Sequence, residues 1–205
     1  SDKLQMFDKI PGTNMIYMEP YRESSCYSVY EIRPNPSTNT ATCDSVCPLP
    51  SVLQGVTKFG TAYDTDGNAM IMGGVHSNSN VSASVLVFNH TTKTITNSPF
   101  DIPQGGRYGF STFETATDVF ILGGRGSDHN INGTPLVLSK QYKSWDIPTC
   151  QGDFPHFVSD PVYTTYNGTL FVAGGQGYTY KKSTLEDEII ATKLYKISAN
   201  GTILN

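Results

Sequence analysis

Charge is scarce in this chain: only 16% of its 205 residues are Asp, Glu, Lys or Arg, and they sum to −4. No stretch gathers Lys and Arg together, which excludes the basic footprint that nucleic-acid binding needs. No apolar run approaches the roughly 18 residues of a membrane helix, so no transmembrane segment is expected. The residues after Ser1 do not form a charged-then-apolar leader, as in a mature chain or part of a longer one. Gly-x-Ser-x-Gly elbows, His-Glu-x-x-His helices and phosphate-cradling glycine loops are also missing, and with them the marks of serine hydrolases, zincins and nucleotide sites. No motif calls for a cofactor or a metal.

What the chain has instead is a repeated phrase. A short apolar run closed by Gly-Gly reads MIMGG over 70–74, FILGG over 120–124 and FVAGG over 171–175, at a spacing of about fifty residues. A fainter copy without the glycines, MIYMEP, occupies 15–20. Self-similarity at this period belongs to solenoids, propellers and arrays. The flanks repeat too. Ahead of each glycine pair lie another apolar strand and a tight turn, and behind it a polar loop leads to alternating strands at 85–88, 136–138 and 194–197. Each unit therefore reads as strand, hairpin, strand, loop, strand, turn, strand. Four modules follow, over about 1–50, 51–103, 104–150 and 151–205. Two glycines where a strand end meets a neighbouring backbone suit a position that needs close approach or φ > 0.

The module resembles a kelch repeat, whose pattern is a basic residue, a hairpin, an apolar strand closed by Gly-Gly, a variable loop, a Tyr-bearing strand and a Trp. Arg107, Gly123, Gly124 and Trp145 match it in the third module; Lys58, Gly73 and Gly74 match it in the second, with Ile95 in the Trp position. The fourth keeps Gly174, Gly175 and Tyr195, and the first keeps Tyr27 and Tyr30 on its apolar pattern. The resemblance implies an all-β fold, a kelch-like β-propeller with about four blades visible in a ring of about six or seven. The remaining blades, from the same gene product or a second subunit, are then expected as partners. An arc of four exposes apolar faces, and Ile203 and Leu204 begin an outer strand. The central domain of the copper-radical oxidases is similar in repeat pattern, but where their cysteine would fall this chain reads Lys58-Phe59-Gly60. Tyr108, near the radical tyrosine's place, stands in a different local order.

Five Asn-x-Ser/Thr sites, at Asn80, Asn89, Asn132, Asn167 and Asn200, are candidate glycosylation sites. Asn167-Gly168 and Asn200-Gly201 are also two-residue hairpin turns. Four cysteines, Cys26, Cys43, Cys47 and Cys150, allow three pairings, and without a second Cys/His pair at ligand spacing they favour disulfides in a secreted protein over zinc. The first pair is expected among Cys26, Cys43 and Cys47.

Within modules, Pro34-Asn35-Pro36 should break a strand that begins near Tyr27, and 44–50 should connect the first two modules. The acidic run at 64–68 starts like a calcium loop but lacks the closing glutamate, so it reads as a hairpin turn. An insertion at 183–190, with Ser or Thr ahead of acidic and apolar residues, should form a long loop with a short helix. The loops that follow the glycine pairs emerge on one side and carry His76, then Arg125, Asp128 and His129, then Tyr178 and Tyr180. Those six residues are the candidate binding face. The expected protein is an extracellular or cell-surface glycoprotein whose propeller binds a protein or glycan, more a binding module than an enzyme. The alternatives are a secreted oxidase of the copper-radical type and a structural repeat of an extracellular filament or coat.

Overall fold

A computed structural model describes the backbone over 5–10, 14–18, 28–148, 158–181, 184–189, 193–197 and 203–204, and the side chains over 28–148 and 158–176. The architecture is all-β. The first sheet is a meander of β1 (Gln5–Ile10), β2 (Asn14–Met18), β3 (Ser28–Asn35) and β4 (Thr40–Pro48). A single 3-10 turn, Ser51–Leu53, leads to β5 (Val56–Thr57). The second sheet takes β6 (Gly60–Tyr63) and β7 (Ala69–Met72), passes β8 (Val75–His76), which pairs with β5 outside it, and continues with β9 (Val85–Asn89) and β10 (Thr94–Asn97). The third is β11 (Ser111–Glu114), β12 (Asp118–Leu122), β13 (Leu136–Ser139) and β14 (Ser144–Asp146). The fourth begins with β15 (Val162–Tyr166) and β16 (Thr169–Ala173), leaves for the hairpin of β17 (Gln176–Lys181) and β18 (Thr184–Ile189), and returns with β19 (Lys193–Ile197) and β20 (Ile203–Leu204). Every pairing is antiparallel, and each four-stranded sheet follows chain order. Among the described residues no helix is long and apolar enough to cross a membrane.

The apolar phrases supply the second strand of each sheet, and their alternation explains why they are apolar throughout. In β7, Ala69 and Ile71 join Val29, Leu53, Leu86 and Phe88 in a cluster between the first two sheets. Met70 and Met72 point the other way, into a second cluster with Val119, Ile121, Leu136 and Leu138 of the third sheet. Strand β12 repeats the device, for Phe120 and Leu122 leave Val119 and Ile121 behind and meet Leu170 and Val172 of the fourth sheet. A strand buried on both faces reads as a continuous hydrophobic run, and each large side chain so buried stabilises the stack by roughly 1.5–3 kcal/mol. Trp145 ties two sheets together, its indole Nε1 donating to the Phe100 carbonyl at 3.2 Å.

The glycine pairs hold the sheets at their ends. The Gly74 N–H donates to the Arg107 carbonyl and the Gly124 N–H to the Val158 carbonyl, each at 2.9 Å. One residue earlier, Gly73 and Gly123 have φ of +63° and +68°, and a Cβ on either would collide with that same carbonyl oxygen. A left-handed backbone against a neighbouring carbonyl admits only glycine.

Several local expectations are corrected. Strand β3 runs through Pro34, which pairs with Ala41, and ends only at Asn35; near a strand end one missing donor costs one rung rather than the strand. The segment from Asp44 to Pro48 belongs to β4 and not to a connector. The insertion expected to open a helix at 183–190 forms β18 over Thr184–Ile189, in register with all six residues of β17. A cap signal worth about 1 kcal/mol loses to a complete partner strand. Cys43 and Cys47 are not bridged to each other. They lie four residues apart on β4, about 13 Å of extended chain, and a bulge at Val46 sets Cys43 opposite Ile32 and Cys47 opposite Val29. That separation is too long for a bridge between them. Burial raises the pKa of the Cys47 thiol. Cys26 and Cys150 lie outside the described residues.

Candidate functional site

The repeat brings equivalent backbone positions from three modules side by side. The Gly109 N–H donates to the Lys58 carbonyl at 2.9 Å, and the Asp160 N–H donates to the Gly109 carbonyl at 2.8 Å. Lys58, Gly109 and Asp160 are therefore the same position in successive modules. Thr57, Tyr108 and Ser159 form the next set, each pairing with the residue after its Gly-Gly: Val75, Arg125 and Gln176. This register revises one match, because Arg107 is equivalent to Val56 and Val158, and Lys58 is equivalent to Gly109.

On this frame the side chains converge. Lys58 Nζ reaches Asp160 Oδ1 at 3.0 Å, spanning the module between them, with Lys58 half-exposed and Asp160 about one-third exposed. The ammonium stands 5.9 Å from the centroid of the Tyr108 ring, within cation–π range. The Tyr108 hydroxyl shares a 3.1 Å hydrogen bond with His129 Nδ1. Arg125 fastens the far side, with Nη1 donating to the His129 carbonyl at 2.8 Å and Nη2 to Gln176 Oε1 at 3.0 Å. Ser159 Oγ donates to the second Asp160 oxygen at 2.8 Å. The result is a polar rim of Lys58, Tyr108, Arg125, His129, Asp160 and Gln176, drawn from three modules.

Arg125 and His129, expected from sequence, belong to this rim. His76 does not: it sits in β8 opposite Val56 and is the counterpart of Gly126, each opening the same turn by N–H donation to Asn80 or Asn130. Asp128 serves its own loop, its carboxylate accepting from the Asn130 backbone N–H at 3.0 Å and side chain at 2.9 Å. Those bonds hold its pKa below the usual carboxylate value. Tyr178 and Tyr180 lie in β17, opposite Asp187 and Leu185, rather than in a loop. Lys58, Tyr108 and Asp160 were absent from the sequence-derived face because they lie just ahead of the first strand of their sheets rather than after a glycine pair, and Gln176, directly after Gly175, was passed over for the tyrosines beyond it. The signal that finds them is the 51-residue offset between the hydrogen-bonded Lys58, Gly109 and Asp160.

Beneath the rim Arg107 is 1% exposed. Its Nη1 donates to the Thr134 carbonyl at 2.7 Å, while Nε and Nη2 find no partner. Burial lowers its pKa to about 10. At Gly60, where the oxidase pattern places its cysteine, a Cβ would run into the Phe110 ring. Among the described residues no three His, Cys, Asp or Glu side chains gather as a metal site. Of the glycosylation candidates, Asn80 is exposed, and Asn167 is exposed on a turn with φ of +47°. Asn89 Oδ1 accepts from the Thr91 and Thr92 N–H groups, and Asn132 is half-buried and bonded to Thr134 and Gln104. Asn200 lies outside the described residues.

The chain shares its fold with YjhT. That solved structure superposes with a TM-score of 0.65 at 13% identity, covering 93% of this chain and 65% of the YjhT chain. No family model and no curated protein matches the sequence.

Proposed function

We propose that the four sheets are blades of a kelch-like β-propeller that acts as an extracellular or cell-surface binding and assembly module, with a protein or glycan ligand seated on the rim. One observation carries the reading: positions with the same backbone environment hold unrelated side chains. Lys58, Gly109 and Asp160 occupy one such position, and Val75, Arg125 and Gln176 another. A requirement of the fold would select the same residue type in each module, as it does for the glycine pairs. Residues that vary on a fixed frame answer to something outside it, and a rim with both charge signs, an aromatic ring and an amide offers directional contacts to a polar ligand. The exposed Asn80 and Asn167 acceptor sites suit a secreted chain. The test is binding of the purified protein to a glycan array and to a panel of extracellular proteins. Arg125→Ala and Lys58→Ala should each weaken the strongest interaction about tenfold or more, the loss of one good polar contact, while Tyr142→Ala, distant on an exposed turn, should not. Equal binding by all three variants would refute the rim as the seat.

A further inference from the structure

The fourth sheet repeats the geometry of the second and third, except that its neighbour is missing. Gly174 adopts φ of +67°, close to the +63° of Gly73 and the +68° of Gly123. Those two face the carbonyl oxygens of Arg107 and Val158, but among the described residues nothing lies within 4 Å of a Cβ built on Gly174. The N–H groups of Gly74 and Gly124 donate to those carbonyls, and among the described residues the equivalent N–H of Gly175 has no backbone acceptor. The side chains agree. Pairing places Val162 with Ala173, Thr164 with Phe171 and Tyr166 with Thr169 on one face of β15 and β16, while Leu170, Val172 and Tyr163 on the opposite face meet the third sheet. On the free face Val162 is 78% and Tyr166 74% exposed, and Val162, Thr164, Phe171 and Ala173 line a shallow depression. Phe171 and Ala173 are the counterparts of Phe120 and Leu122, which in the third sheet are buried against the next sheet.

We infer that this face seats a fifth four-stranded sheet of the same repeat, carried by the same polypeptide. Its approach segment places a backbone carbonyl against Gly174 and accepts from Gly175, and its second strand packs alternate apolar residues on Phe171 and Ala173. A ligand surface would need no left-handed glycine with an empty Cβ position; a neighbouring backbone does. The source within one chain follows from the likeness to YjhT, of which this chain spans 65% while being itself covered over 93%. The inference rests on the stacking of sheets and not on the rim, so a failure to find a ligand leaves it standing.

The test is thiol labelling of Thr164→Cys, an exposed position on the face, and of Tyr142→Cys, 76% exposed and remote. Both are made in the protein expressed from its complete reading frame, with sites resolved by peptide mass so that the chain's own cysteines are counted apart. Under native conditions the thiol of the Thr164→Cys variant should react at least about a hundredfold more slowly than that of the Tyr142→Cys variant in a monomeric sample. Equal rates overturn the inference. Protection that vanishes on dilution to monomers overturns it in favour of a second copy of the chain.

Discussion

Gly123 and Gly174 form a matched pair on which the stacking can be weighed. Both have φ near +68°, so alanine at either incurs the same backbone strain, about 1–2 kcal/mol. The surroundings differ. At Gly123 the new methyl strikes the Val158 carbonyl oxygen, so the fourth module must retreat by roughly 1 Å to restore contact near van der Waals distance. That retreat breaks the 2.9 Å bond from Gly124 to Val158 and leaves a buried donor unsatisfied, a further cost of about 1–3 kcal/mol. The sum is about 2–5 kcal/mol at Gly123 against about 1–2 at Gly174, where no described residue lies within 4 Å. For a chain of this size each kcal/mol moves the midpoint by about 2–4 °C. Thermal unfolding of the 205-residue chain followed by far-UV circular dichroism should therefore fall by about 10 °C for Gly123→Ala and about 4 °C for Gly174→Ala. In the protein from the complete reading frame the two should converge on the larger value. Equal losses in the 205-residue chain would refute the contact between the third and fourth modules.

Arg107→Met should raise stability by about 1–2 kcal/mol in urea denaturation, because it removes a buried cation with two unpartnered nitrogens at the cost of one hydrogen bond to Thr134; a loss beyond about 1 kcal/mol would contradict this. Glu114→Ala should cost about 3 kcal/mol by the same assay, since the buried Lys140 ammonium would lose its 2.6 Å partner and the Tyr63 N–H its acceptor; a Lys140→Met second change should recover part of the loss. Trp145→Phe should cost about 1 kcal/mol through the lost bond to Phe100, read by denaturant titration. Asp128 holds its carboxylate charged below the usual pKa, so the stability it adds is present at neutral pH and is lost as pH falls through its folded value. Carboxyl NMR titration should show Asn130→Ala moving that value back upward, and no movement would dismiss the Asn130 bonds as the cause.

The modular organisation was legible because the constraint that creates it acts on a few neighbouring residues. Gly73 and Gly123 are fixed by a carbonyl across a sheet boundary, and the apolar runs beside them by burial on both faces, so both mark the sequence at a constant interval. The hairpin of β17 and β18 was not legible. Its two strands specify each other, and Thr184 to Ile189 alone carry a helix-start signal that only a partner strand overrules. The state of Cys43 and Cys47 was hidden for a similar reason, since the bulge at Val46 decides on which face each thiol lies. The rim was half legible. Arg125 and His129 stand in an obvious loop, whereas Lys58 and Asp160 come together only because a module between them contributes nothing larger than Gly109 at that position.

The alternation within β7 and β12 has a consequence for how the chain comes into being. Met70 and Ile71 are adjacent in sequence yet serve different interfaces, so no single sheet owns a core and none can reach its stable form before a neighbour is in place. During synthesis at about 5–20 residues per second, a module of this length leaves the ribosome every few seconds. Each newly emerged meander then finds one prepared surface, that of the module made before it, and offers the opposite side of its second strand to the module still to come. Growth from the first module onward adds one new apolar face, on the latest module, at each step. A pause in translation once the whole third module has emerged would leave Phe120 and Leu122 on that face, and this is where a quality-control chaperone would have most to hold.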